Sequence, residues 1–240
     1  GCSSPRQWQE FLAGKKDAID PDCPSHFFNL DQGTYFLVTN DGQSFGKGLD
    51  AIKHIVSADS PRNYATVVNV ANSELCATDG FQLSCYAVPT SHYQPFAIPA
   101  ATIPILSKLL KAKSCSLQIS EDGTMLRVTA GDWIAGIRTS AVKFPNYKAV
   151  LPDPSTLQPV TSEAFAACMA LAVTRSKIDF AQANLYAELV TPIGTFHLNP
   201  RFFVELEGFE TLHYGEDTDA PLVAKKGNQT YVIVPVRKAK

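Results

Sequence analysis

The stretch FGKGLDA sets Gly46, Gly48 and Ala51 at the spacing of a GxGxxA fingerprint. Such glycines let backbone approach a pyrophosphate at a helix N-terminus. That chemistry needs the glycines directly at a strand end and an acidic residue about 20 positions on. Here DGQSF separates the motif from the strand candidate TYFLVTN, and no strand ending in Asp or Glu follows at that distance. The stretch therefore reads as a turn entering a helix. The five histidines, at 26, 54, 92, 197 and 213, stand singly, without HxxxH or a Cys and His pair at zinc spacing, so no metal site is expected. EDTDA (216–220) gathers three acids but lacks the glycine and spaced ligands of a calcium loop, and reads as a solvated turn. No serine sits in a GxSxG elbow and no cysteine carries a thiol-enzyme signature. No cofactor is expected, and the chain reads as non-enzymatic.

Six cysteines (Cys2, Cys23, Cys76, Cys85, Cys115, Cys168) are spread without a CxxC, three of them inside otherwise apolar segments. Reduced thiols in a cytoplasmic protein fit this better than a disulfide framework. The opening GCSSP resembles the processed end of a bacterial lipoprotein, whereas the rest of the chain reads as intracellular. A chain of 240 residues with 45% apolar content can bury one large core or two ordinary ones. No apolar run approaches the roughly 18 residues that cross a bilayer, so no membrane span is expected. Lys plus Arg number 21 against 23 Asp plus Glu, so the chain is not basic overall. Any contact with nucleic acid must come from how charge is distributed.

The elements that would carry these residues follow a recurring order. Residues 1–27 hold a short helix candidate and the turn-rich IDPDCPS, of unknown role. TYFLVTN (34–40) alternates like a strand, DGQSFG breaks it, and GLDAIKHIVSA (48–58) sets Leu49, Ile52, Ile55 and Val56 on one helical face. Strand candidates YATVVNV, SELCAT and QLSCYAV come next. PFAIP then leads to the helix ATIPILSKLLK (101–111), with Thr102 able to cap and Pro104 in the first turn, and to the strands SCSLQIS, TMLRVTA and WIAGIRTS. After FPNYKAVLP (144–152) the order appears twice more in shortened form. VTSEAFAACMALAVTR (160–175) is a helix, followed by the strands ANLYAELV and TPIGTFHL. NPRFFVELEG (199–208) is a fourth helix, capped by Asn199 and stopped by Gly208, and ETLHYG, APLVAKK and QTYVIVPV close the chain. Four strand-helix-strands units, about 55 residues early and nearer 40 later, predict a repeated α+β architecture. The stiff FPNYKAVLP divides it into domains at 28–152 and 153–240.

Three motifs in fixed order, CATDGFQLS (76–84), KFPNYKAVLP (143–152) and YVIVPVR (231–237), together with IPAATIPILSKLL, resemble the bacterial sliding clamp, the beta subunit of DNA polymerase III. The resemblance covers about residues 45–240 and implies the DNA-clamp fold, with helices on one face and antiparallel sheets on the other. It implies a processivity factor encircling or contacting double-stranded DNA without sequence preference. A sliding ring needs cations on its lining helices. Lys53 and His54, then Lys108, Lys111 and Lys113, then Arg175 and Lys177, lie on or just after the first three helices, while Glu205, Glu207 and Glu210 outnumber Arg201 on the fourth.

The resemblance further implies a groove for short peptides of polymerases and clamp loaders. Its residues would be Thr78, Gly80, Phe81 and Leu83 after ATDG, Pro145 and Val150 at the junction, and Asn199 and Phe202 on the fourth helix. Ala220 and Pro221 at a strand edge and Val232, Ile233, Val234, Pro235, Val236 and Arg237 of the last strand complete it. Phe81 and Gln82 replace the family's usual polar and basic pair, and Ala149 stands where Arg is common. The family's chains carry three domains; two per chain would close a six-domain ring as a trimer, and otherwise a dimer is expected. The alternative is a clamp-derived adaptor or decoy that keeps the groove without encircling DNA.

Overall fold

The computed structural model describes residues 33–91, 94–131, 133–175 and 187–236, excepting the side chains of 172–175. The segment 1–27, Lys177 and Arg237 lie outside them. Strand β1 (Tyr35–Thr39) leads into helix α1 (Gly42–Ile52), which a 3-10 turn extends over Lys53–Ile55. The helix thus begins six residues before the expected GLDAIKHIVSA, inside the stretch read as a break. Asp41 is the reason: its carboxylate accepts the Ser44 N–H at 2.9 Å and starts the helix. The glycines that disguise the helix are packing devices. A Cβ on Gly42 would lie 2.7 Å from Cys115 Cβ, and one on Gly48 2.8 Å from Leu75 and Tyr86 side-chain carbons.

A 3-10 turn (Asn63–Thr66) precedes β2 (Val67–Ala71), β3 (Glu74–Thr78) and β4 (Gln82–Ala87). The second repeat runs β5 (Phe96–Pro99), α2 (Ile103–Leu109), β6 (Cys115–Ser120), β7 (Met125–Ala130) and β8 (Trp133–Arg138). Thr102 stands at the N-cap of α2 without capping through its side chain; its hydroxyl donates back to the Pro99 carbonyl at 2.8 Å. The two-residue β9 (Gln158–Pro159) and α3 (Ser162–Arg175) open the third repeat, followed by β10 (Ala187–Thr191). Then come β11 (Gly194–Leu198), a 3-10 helix over Pro200–Leu206 where an α-helix was expected, and β12 (Thr211–Tyr214), β13 (Leu222–Lys226) and β14 (Gln229–Ile233). Asn199 caps that 3-10 helix as expected, accepting the Arg201 N–H at 3.1 Å, and Gly208 leaves it at φ 74°. The final strand stops at Ile233, so Val234 to Val236 lie beyond it.

One pairing rule organises the antiparallel sheets: three strands of one repeat take the first strand of the other. The orders β5-β2-β3-β4 and β1-β6-β7-β8 both obey it, as does β14-β13-β12-β9. In the two-stranded sheet β10-β11, β11 is the first strand of the fourth repeat. Among the described residues the third repeat therefore shows one strand after its helix where the first two repeats show three. β4 and β14 pair along their length, Gln82 opposite Ile233 through Tyr86 opposite Gln229, and fuse two quartets into one eight-stranded sheet.

Helices α1 and α2 lie against each other, with a Cβ on Gly46 placed 3.0 Å from Leu110 Cβ. Phe45, Leu49 and Ile52 of α1 and Leu106 of α2 are buried with Leu75 and Ile98 of one sheet and Leu117 and Leu126 of the other. A separate apolar cluster lies over the seam: Cys76, Leu83, Cys85, Tyr147, Val223 and Val232, with Phe144, Leu151 and Leu157 against it.

Candidate functional site

Over that cluster lies a groove of ≈ 240 Å³, to which Tyr64, Thr78, Gly80, Gln82, Leu83, Pro145, Asn146, Tyr147, Val150, Pro221, Val232 and Val234 contribute. Five separate segments meet there, and each is fixed by local chemistry. The β3–β4 turn is organised by Asp79, whose carboxylate accepts the backbone N–H of Phe81 (2.9 Å) and of Gln82 (3.0 Å) and the Gln82 side-chain amide (2.9 Å). The Thr78 hydroxyl donates to the Gln82 carbonyl at 2.7 Å and accepts the Gly80 N–H at 3.1 Å. Gly80, at φ 91°, is required: a Cβ there would meet Arg62 Nη1 at 2.5 Å and the Tyr64 hydroxyl at 2.7 Å. Arg62 donates to the Asp79 carbonyl at 2.5 Å and lies 4.6 Å over the ring of the exposed Phe81.

The opposite wall is FPNYKAVLP. Its Tyr147–Val150 turn is a 3-10 helix, and Tyr147 is buried with its hydroxyl donating to Glu74 Oε2 at 2.7 Å. Burial, above all, pushes the Tyr147 phenol well above its ordinary value. Phe144 meets the Tyr147 ring edge-on at 6.0 Å. Val150 is left 55% exposed and Val234 37%, so each offers apolar surface to a visitor. The seam closes the floor. Tyr231 donates to the Gln82 side-chain oxygen, and the Val234 N–H donates to the Phe81 carbonyl at 2.9 Å.

Of the residues carried over by resemblance, Thr78, Gly80, Leu83, Pro145, Val150, Pro221, Val232 and Val234 line the groove. Phe81 stands outside the lining, exposed. Ile233, Phe202 and Pro235 are buried, and Ala220 and Val236 are half-buried; none is among the lining residues. Asn199 serves as a helix cap. Tyr64, Gln82, Asn146 and Tyr147 also line the groove, beyond the residues that the resemblance assigns to it. Tyr147 had a signal, as the aromatic of the FPNY motif; Tyr64 had none, because a turn outside every motif brings it there.

The expected cations divide into two kinds. Lys108 and Lys113 are exposed. Lys53 and Lys111, also exposed, converge on Asp50, at 2.7 and 3.8 Å. His54 Nε2 faces Glu205 Oε2 at 3.1 Å, joining the end of the first helix to the 3-10 helix of the fourth repeat. Burial holds the His54 pKa below its ordinary value, against the pull of Glu205 and of a backbone hydrogen bond at Ala51. Arg175 ends α3.

Repeated strand-helix-strands units under continuous antiparallel sheets define the DNA sliding-clamp fold, and comparison with solved structures shows the same. The chain has the fold of the bacterial DNA polymerase III beta subunits. It superposes on the sliding clamp of Pseudomonas aeruginosa with TM-score 0.65 at 17% identity, covering 92% of this chain and 71% of that one. The beta subunit of Thermotoga maritima gives TM-score 0.67 at 17% identity over 92% of this chain and 70% of that one. The Bacillus subtilis sliding clamp gives 0.67 at 17% identity over 92% and 69%. No family model matches the chain. No curated protein matches it.

Proposed function

We propose that the chain is a non-enzymatic, sliding-clamp-like processivity factor of two domains divided near Pro152. It meets duplex DNA through exposed lysines of its helices and holds a partner's peptide in the groove between the domains. The observation that carries the reading is the convergence of Thr78, Gly80, Leu83, Pro145, Val150, Pro221, Val232 and Val234, drawn from four parts of the sequence, on one largely apolar groove with few polar anchors. The expected ligand is a short segment ending in Leu and Phe, whose side chains would fill a slot floored by Leu83 and Val232 and rimmed by Val150 and Val234. The clamp fold shared with bacterial beta subunits supports the same assignment.

Titration of a fluorescent peptide ending in Leu-Phe tests it. Saturable binding is expected, weakened at least tenfold by Val234→Asp, which sets a charge at the rim without disturbing a strand. An absent signal, or one that Val234→Asp leaves intact, removes the groove from the proposal.

A further inference from the structure

Cys76 and Cys85 stand directly opposite one another on neighbouring strands. The Cys76 thiol meets the Cys85 sulfur at 2.6 Å, and both are buried. Their pairing class follows from the ladder. Asp79 N–H donates to the Gln82 carbonyl across the β3–β4 turn, which makes 79/82 and, two positions on, 77/84 the hydrogen-bonded pairs. Alternation then makes 76/85 a non-hydrogen-bonded pair, the class with Cα atoms about 4.5 Å apart and side chains closest. On the other flank Ala87 N–H donates to the Asn228 carbonyl, which gives Cys85 its ladder bonds toward β14 and agrees with the same alternation. A separation of about 4.5 Å falls inside the range of about 4.4–6.8 Å that a disulfide spans. The two thiols can be joined without moving either strand.

Part of the cover over this buried pair comes from a segment outside the sheets. Phe144, Tyr147 and Leu151 pack on it, and the segment carrying them forms no strand. Its backbone hydrogen bonds there are local, Tyr147 N–H to Pro145 at 2.8 Å and Ala149 N–H to Asn146 at 3.2 Å. The Tyr147 hydroxyl donates to Glu74 and also meets the Cys76 side chain, which anchors the segment over the pair. Such a segment opens at far lower free energy than the sheet beneath it. While it is closed, the neighbouring Cys76 side chain and burial raise the Cys85 thiol, which stays protonated.

The geometry points to Cys76 and Cys85 as a reversible dithiol–disulfide site, covered by residues 144–151 and oxidised by a hydroperoxide small enough to enter when that cover lifts. One sulfur attacks the peroxide oxygen, giving a sulfenic acid and water, the water taking up the thiol proton. The second sulfur then displaces the sulfenic oxygen as a second water and closes the S–S bond. Two thiols and one hydrogen peroxide thus give one disulfide and two waters, and a thiol reductant restores the pair. The link ties together the two strands whose turn carries Thr78, Gly80 and Phe81. This inference does not rest on the groove's occupant, because oxidation is read on the protein alone.

The test treats the full chain with hydrogen peroxide, quenches, alkylates free thiols under denaturing conditions and maps non-reduced peptides by mass. A Cys76–Cys85 linked peptide lighter by two hydrogen atoms, abolished by dithiothreitol and by Cys76→Ser, is expected. Tyr147→Phe, which removes the anchor, should speed its formation severalfold. Recovery of both cysteines alkylated, sulfinic acid at either without a link, or links made instead to Cys2 or Cys23 overturns the site. An unchanged rate in Tyr147→Phe overturns the role of the cover.

Discussion

Single residues decide how closely the parts approach. Gly48 of α1 faces the buried Leu75 and the half-buried Tyr86, where an added methyl would lie 2.8 Å from a side-chain carbon of each. Overpacking of this kind costs about 1–3 kcal/mol. The better helix propensity of alanine returns up to about 1 kcal/mol. Gly48→Ala is therefore expected to destabilise by about 1–2 kcal/mol, read as a lower urea midpoint at unchanged slope; an unaltered midpoint would show that the sheet yields. This packing role is what Gly46 and Gly48 do in place of phosphate binding. The spacing alone could not separate the two uses, because both need a missing Cβ. The groove residues were legible only through the motifs that resemble the clamp family. Gln82 looked like a departure from that family in sequence; in the fold it receives the Tyr231 hydroxyl and is held by Asp79, a pairing that periodicity does not reveal.

Elements were read well where hydrophobic period was strong and poorly where a cap or a glycine set the boundary. β6 and β7 alternate buried and half-buried residues along their length, as SCSLQIS and TMLRVTA suggested. β9, two residues long, is too short to carry any period. Helix α1 was read late because three glycines lower its apparent propensity, whereas Asp41 supplies its start. Asp41→Ala should cost about 1 kcal/mol. The hydrogen bonds from Ser44 hold the Asp41 carboxyl below its ordinary value, so its contribution is present above the ordinary carboxylate range and fades as pH falls through the lowered value. Stability of the wild type and of Asp41→Ala, measured by denaturant between pH 7 and pH 2, should converge toward the acid end. A constant gap would mean that the cap acts through the backbone alone.

At the scale of the molecule, two exposed features set what assembly is open to it. β8 is an edge strand carrying Ile134 at 56% exposure, and β10, the first described strand after α3, carries Val190 at 69%. Both present apolar side chains beside an edge, as the β4–β14 seam would if its two strands were parted. A ring of six domains built from two-domain chains is a trimer, so light scattering after size exclusion at tens of micromolar should give three times the 26.1 kDa of one chain. A strict monomer under those conditions removes the ring and leaves the adaptor that binds peptides without encircling DNA.

The seam also has a meaning in time. Tyr231 and Gln82, whose contact floors the groove, are 149 residues apart in the chain. Closing so long a loop carries an entropy that grows with its length, and contacts of this separation form late. On a ribosome the β3–β4 turn emerges long before its partner strand. The groove cannot exist until β14 and Val234 have been made, long after the turn that forms its other side.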